Sequence, residues 1–175
     1  MIMIRKIVGA TDPVLRNPCR EIGKVDKKIK RLIADMKETL DIQKDPEGVA
    51  IAAPQIGKGL KIFVAKYEGQ ELVAINPEIV KISKTKTTDE EARKTLEGCL
   101  SVPHYYSPIL RSKRVRLKYL DENGNKQEKD FEGFWARIVQ HETDHLKGVL
   151  FTDHVLAQRK PLYKVQGEDW EEVEI

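Results

Sequence analysis

The feature that most constrains this 175-residue chain is a helix that must bury charge. Between about 134 and 147 apolar residues recur at helical spacing, and His141-Glu142-Thr143-Asp144-His145 lies within that run. Residues four apart share a helix face, so His141 and His145 project together and can grip one metal ion. One stripe reads Phe134, Ile138, His141, His145, and the next reads Trp135, Val139, Glu142, Leu146. Arg137, Gln140, Asp144 and Lys147 fall on the far side. Two imidazoles and a carboxylate therefore occupy the face that should be buried, where an unpaired carboxylate is costly. A metal with its bound water accounts for all three. The alternative is a pair of core histidines bonded to backbone carbonyls. Gly148 supplies the usual residue beyond a helix C-terminus.

A catalytic ion of this kind keeps three protein ligands and one open position. A histidine six residues after His145 would complete one known pattern, but Phe151 stands there. A downstream glutamate would have to come from Glu168, Glu171, Glu172 or Glu174, in a segment without helical periodicity. No spacing rule supports His104 or His154. Cys99 is the better candidate: it sits in Glu97-Gly98-Cys99-Leu100-Ser101, where glycine permits close backbone approach and a thiolate is a strong ligand. Cys19, between Pro18 and Arg20, reads as a structural cysteine.

The rest of the chain reads as one α+β domain over 1–165, antiparallel sheets packed around the central helix, followed by an acidic tail at 166–175. Residues 1–25 read as irregular. Asp26 caps an amphipathic helix carrying Ile29, Leu32, Ile33, Met36 and Leu40, a cover for a sheet that Asp45-Pro46 stops. Strands are expected at 60–64, 71–75, 79–82 and 114–119, with an exposed loop at 83–95 between the last two. Asn123-Gly124 predicts a two-residue type I′ hairpin returning through 126–131. Beyond Asp153 the pattern is less regular, and 168–175 carries five acids and no base. Strands on both sides of a helix without βαβ alternation indicate α+β.

Composition narrows the function classes. Thirty-one basic against 28 acidic residues give a net charge of +3, too balanced to imply a specific nucleic-acid partner. No apolar run approaches the ~20 residues of a membrane helix. The charged start is too short for a signal peptide. Two cysteines cannot build a disulfide framework, so a reducing compartment, the cytoplasm, is expected.

Three segments stand in order: Gly48-Val49-Ala50-Ile51-Ala52-Ala53-Pro54-Gln55-Ile56-Gly57, the Glu97–Ser101 segment, and Gln140-His141-Glu142-Thr143-Asp144-His145. Together they resemble the peptide deformylase family, from about Asp12 to about His154. The resemblance implies a hydrolase that removes the N-formyl group from the N-terminal methionine of newly made polypeptides and releases formate. It implies a divalent metal, ferrous iron with nickel, cobalt or zinc able to substitute, held by Cys99, His141 and His145. Glu142 would move the proton, while the Gln55 side chain and the Leu100 backbone N–H would stabilise the oxyanion. Val49, Ala50 and Gly98 would hold the formylmethionyl peptide by its backbone, and Phe134 and Ile138 would line its methionine pocket. The family's pattern usually has glycine at the position of Ala50, which bears on substrate efficiency. The basic helix with which well-studied members dock on ribosomes has no counterpart in the acidic tail. The basic residues of 111–118 are the candidate for a transient ribosome contact, or else a solvated face. An endopeptidase indifferent to Cys99 and a non-catalytic binding module are the competing functions.

Overall fold

The computed structural model describes residues 2–174. Asp26 accepts hydrogen bonds from the Lys28 and Ile29 N–H groups and so starts α1 (Lys27–Asp41). The helix ends at Asp41, before Pro46 is reached. Then follow β1 (Ala50–Ala52), β2 (Ile62–Tyr67) and β3 (Gln70–Ile82). The chain continues through α2 (Asp89–Lys94), β4 (Glu97–Cys99) and β5 (Val102–Ser107). The hairpin β6 (Arg114–Leu120) and β7 (Lys126–Glu132) leads into α3 (Gly133–His145). Last come α4 (Phe151–Gln158), β8 (Leu162–Gln166) and β9 (Asp169–Val173).

The strands form two antiparallel sheets, β1-β2-β3-β6-β7 and β4-β5-β8-β9. Alternation along β1 and β2 decides what packs where. Ile51, Ile62 and Val64 join Leu32, Ile33, Met36 and Leu40 of α1 on one face. Ala52, Phe63 and Ala65 face the other way and meet Ala136, Ile138, Val139 and Leu146 along α3. The small residues Ala52, Ala65 and Ala74 on that face let α3 lie close to the sheet. A third cluster, Cys99, Ile109, Phe151, Val155 and Leu162, ties the four-stranded sheet to α4. The fold is α+β, with α3 at its centre, as the sequence indicates.

Several local expectations need correction. The segments 71–75 and 79–82 are one strand, β3, interrupted by register shifts after Ile75 and Ile79. Asn76 turns the chain there with φ 50°, and its side-chain amide exchanges two hydrogen bonds with the Ile22 backbone. The loop expected over 83–95 contains α2, because Thr88 and Glu91 form a capping box. The Asn123-Gly124 hairpin is not a two-residue type I′ turn. Leu120 pairs with Lys126, only Gly124 of the intervening residues has positive φ, and the Asp121 carboxylate accepts from the Asn123 and Asn125 N–H groups. The region after Asp153 is regular: it completes α4 and adds two strands, and the acidic segment enters the sheet as β9. Finally, the far side of the helix is exposed only at its end, at Lys147. Arg137 and Gln140 are buried, Gln140 bonding the Ser112 backbone and Arg137 the Thr95 carbonyl.

The N-terminal segment is fastened by α1. Fully buried Asp35 accepts from the Met3 N–H at 2.8 Å and from the Arg5 guanidinium at 2.9 and 2.5 Å, while Thr39 accepts from the Arg5 N–H. Burial works against the Asp35 charge, but these donors outweigh it and hold the carboxyl below its ordinary value. A depressed carboxyl contributes stability that is complete above its unfolded-state pKa and lost as pH falls through its folded-state value. Asp35→Asn should therefore cost about 2 kcal/mol at pH 7. That gap from wild type should close as pH falls below about 4. Thermal unfolding of both proteins from pH 7 to 3 checks this.

Candidate metal centre and active site

Helix α3 ends where the chain must reverse against the N-terminal segment. Gly148 has φ 78°, and a Cβ there would stand 2.6 Å from the Arg16 carbonyl oxygen. The Cys19 N–H donates to the Leu146 carbonyl nearby, so the last turn of α3 is held from outside. On the helix face above, the His141 and His145 Nε2 atoms lie 3.1 Å apart. Strand β4 delivers Cys99 from the other sheet, where a register shift against β5 falls between Gly98 and Cys99. The sulfur comes to 3.3 Å from His145 Nε2. The three ligand atoms lie within 4.8 Å of one another, and all three residues are buried.

One of the two imidazoles is oriented by a partner behind it. His141 Nδ1 lies 2.7 Å from Glu97 Oε1, which turns its Nε2 toward Cys99 and His145. Glu97 is gripped by Arg111, Nε at 3.0 Å and NH2 at 2.6 Å. NH1 of the same guanidinium donates to Asp144 at 2.6 Å, and Asp144 also meets His154 Nε2 at 2.8 Å. Burial works against a charged Glu97, but Arg111 and then His141 outweigh it, holding the carboxyl well below the carboxylate range. Burial would likewise raise the Cys99 thiol, yet His145 and His141 pull it down to about 5, so the sulfur is a thiolate at neutral pH.

One thiolate and two imidazoles around a common point are the donor set of a divalent transition metal. Two further observations fit such an ion. Glu142 Oε2 and His145 Nδ1 are buried with no hydrogen-bond partner, and two ring nitrogens face each other at 3.1 Å. A cation would separate the two facing ring nitrogens, and its water would supply a partner for Glu142 Oε2. The carboxyl of Glu142, 3% exposed, is pushed up to about 7 by burial against the opposing pull of His141 and His145.

The centre opens into a cleft of about 190 Å³. Val49, Ala50 and Gln55 line one side, and Gly98, Cys99 and Leu100 the other; Phe134, Ile138, His141 and Glu142 form its base. The structure thus brings together every residue singled out for the site, with His145 behind the lining. Gln55 is held in the 3-10 turn after β1: its Oε1 accepts from the Ala52 N–H, and its Nε2 lies 3.4 Å from both Cys99 Sγ and Ser101 Oγ. The Ala50 methyl packs in the same cluster as Phe134 and Ile138. His104 also reaches the cleft, as a partly exposed residue of β5. The acidic residues of the last strand take no part.

The geometry has a counterpart in known proteins. The family model described as polypeptide deformylase matches residues 4–161. The chain belongs to that family. Similar proteins include the peptide deformylase of Pseudothermotoga lettingae, 42% identical over 158 residues, covering 90% of this chain and 86% of that one. Peptide deformylase 1 of Clostridium perfringens is 42% identical over 155 residues, covering 87% and 99%. Among solved structures, the peptide deformylase from Thermotoga maritima aligns with a TM-score of 0.77 at 38% identity, covering 86% of this chain and 96% of that one.

Sequence reasoning missed Arg111, Asp144 and His154. In sequence Arg111 falls in the basic run 111–118, but it precedes β6 and is buried, 5% exposed, between two carboxylates. The signal available was Glu97, whose place two residues before Cys99 puts it on the same side of β4. If Cys99 is a ligand and Cys19 only fills space, Cys99→Ala should abolish retention of bound metal after desalting, whereas Cys19→Ala should leave it intact. Metal analysis of proteins purified without oxygen decides between them.

Proposed function

We propose that this family member is a metal-dependent amidase that removes the formyl group from N-formylmethionyl polypeptides and releases formate. The observation that carries the reading is the meeting of Cys99 Sγ with His141 and His145 Nε2 beside the unpartnered carboxylate oxygen of Glu142. Cys99, His141 and His145 would hold the ion; the soft thiolate among them favours ferrous iron, with nickel, cobalt or zinc as substitutes. A bound divalent ion supplies Lewis acidity and brings the pKa of a coordinated water near 7.

The chain's own residues do the rest. Glu142, with a pKa near neutrality, can take a proton from water and return it to the departing amine as the formyl C–N bond breaks. Gln55 Nε2 and the Leu100 N–H are the donors for the charge that develops on the formyl oxygen. Strands β1 and β4 are edge strands of different sheets that both border the cleft. A peptide extended between them can bond to the backbone of Val49, Ala50 and Gly98. Its methionine side chain would then meet Phe134, Ile138 and His141.

A site built on a buried thiolate requires reducing surroundings, which supports a cytoplasmic setting. A transient ribosome contact through the basic strand has less support. Arg114, Arg116 and Lys118 each have an acid of β7 within 4.0 Å, with Arg116 held by Asp130 at 2.7 Å through two nitrogens.

Protein purified without oxygen and loaded with ferrous iron should release formate from formyl-Met-Ala-Ser; absence of release overturns the reading. Glu142→Gln should lower turnover by about a thousandfold or more with metal content unchanged. Gln55→Ala should cost about a hundredfold in kcat. An endopeptidase would cleave unblocked peptides and tolerate loss of Cys99.

A further inference from the structure

The amidase reading uses the whole of β4, Glu97 to Cys99, and leaves the outer strands of the four-stranded sheet without a task. Gly98 pairs with Tyr106 across β4 and β5, and Tyr106 pairs with Tyr163 across β5 and β8. Paired residues share a sheet face, so these positions form a row. The Tyr106 ring lies over Gly98: a Cβ on Gly98 would come within 2.7 Å of two ring atoms. Glycine at 98 thus leaves room for the ring, and the ring in turn lines the cleft. Trp170 of β9 pairs with Val165, two residues further along the same face, and its ring leans back to the row, with its centroid 5.8 Å from Tyr106 and 6.4 Å from Tyr163. Trp170 is 55% exposed. A single exposed aromatic is ordinary, but three rings continuous with a cleft wall form a surface that a ligand can cover.

We propose that Tyr106, Tyr163 and Trp170 form an outer subsite for the substrate polypeptide, binding side chains downstream of its first three residues. This rests on the amidase reading of the cleft. Three strand spacings of about 4.8 Å separate β4 from β9, about 14 Å in all, which a chain crossing the sheet spans with about four residues. A two-residue substrate ends before the platform, and a six-residue one reaches Trp170. Tyr106 is the hinge of the argument, because it belongs to both the cleft wall and the row. Trp170 is a specificity residue that acts on KM through longer substrates.

The test compares formyl-Met-Ala with a six-residue formylated peptide on wild type, Trp170→Ala and Trp170→Phe. In wild type the longer peptide should have the lower KM. Trp170→Ala should raise KM for the six-residue peptide about fivefold relative to its effect on formyl-Met-Ala, with kcat ratios preserved. Trp170→Phe should recover most of the difference. Equal proportional changes on both peptides point to a purely structural role and overturn the proposal. It is also overturned if ribosome cosedimentation weakens while both KM values stay unchanged, which would assign the platform to a different partner. If wild type releases no formate from either peptide, the amidase reading falls separately. Calorimetric binding of the six-residue peptide then judges the platform, and equal affinity in wild type and Trp170→Ala overturns it.

Discussion

A guanidinium buried between two carboxylates holds the site together. Arg111 takes Glu97 with two nitrogens and Asp144 with the third, and Glu97 sets the ring of His141. Glu97 belongs to β4, Asp144 and His141 to α3, and Arg111 to the connection between β5 and β6. One side chain therefore joins the strand that carries the sulfur to the helix that carries the imidazoles. The desolvation of three charges is expensive, and only the closeness of their contacts offsets it. Such a network stabilises little compared with apolar packing, but it leaves few alternative placements for either carboxylate. The ligand atoms are brought together by charge pairing one layer behind them.

The helix itself is set by a different force. Ala52, Ala65 and Ala74 leave a shallow trough on the five-stranded sheet, and Ile138 and Val139 fill it. On the opposite side Gln140 bonds to Ser112 through backbone donor and acceptor alike. The helix is thus clamped by dispersion on one side and by hydrogen bonds on the other. Glu142 inherits both its burial and its raised pKa from that confinement.

The sequence carried the core of this arrangement openly. His141 and His145 four residues apart, Glu142 beside them and the apolar stripe through Ile138 say that the helix buries polar atoms. The glycine before Cys99 marks a close backbone approach. Other parts were legible only in three dimensions. Arg111 looks like the start of a basic strand because its neighbours Lys113 and Arg114 are basic, and only tertiary packing separates the buried cation from the solvated ones. Asp144 falls on the far side of a helix that a wheel takes to be exposed, and the helix is in fact enclosed on that side too. Strands β8 and β9 are short and mix polar with apolar residues, and their pairing is tertiary, β8 with β5 and β9 with β8, so periodicity could not reveal them. The α2 helix was readable: Thr88 and Glu91 stand at capping-box spacing, although the polar run around them masks the signal.

The two edges that flank the cleft, β1 and β4, are only three residues long, shorter than any other strand. Brevity here acts as a filter. A main-chain partner gains very few ladder bonds from so small a rung, so the interior of another polypeptide finds little to adhere to, and the exposed borders do not seed aggregation. In the proposed reading, the end of a chain would have to draw most of its affinity from side-chain contact with Phe134 and Ile138 on the floor. A preference for termini over internal stretches would then follow from the dimensions of the scaffold.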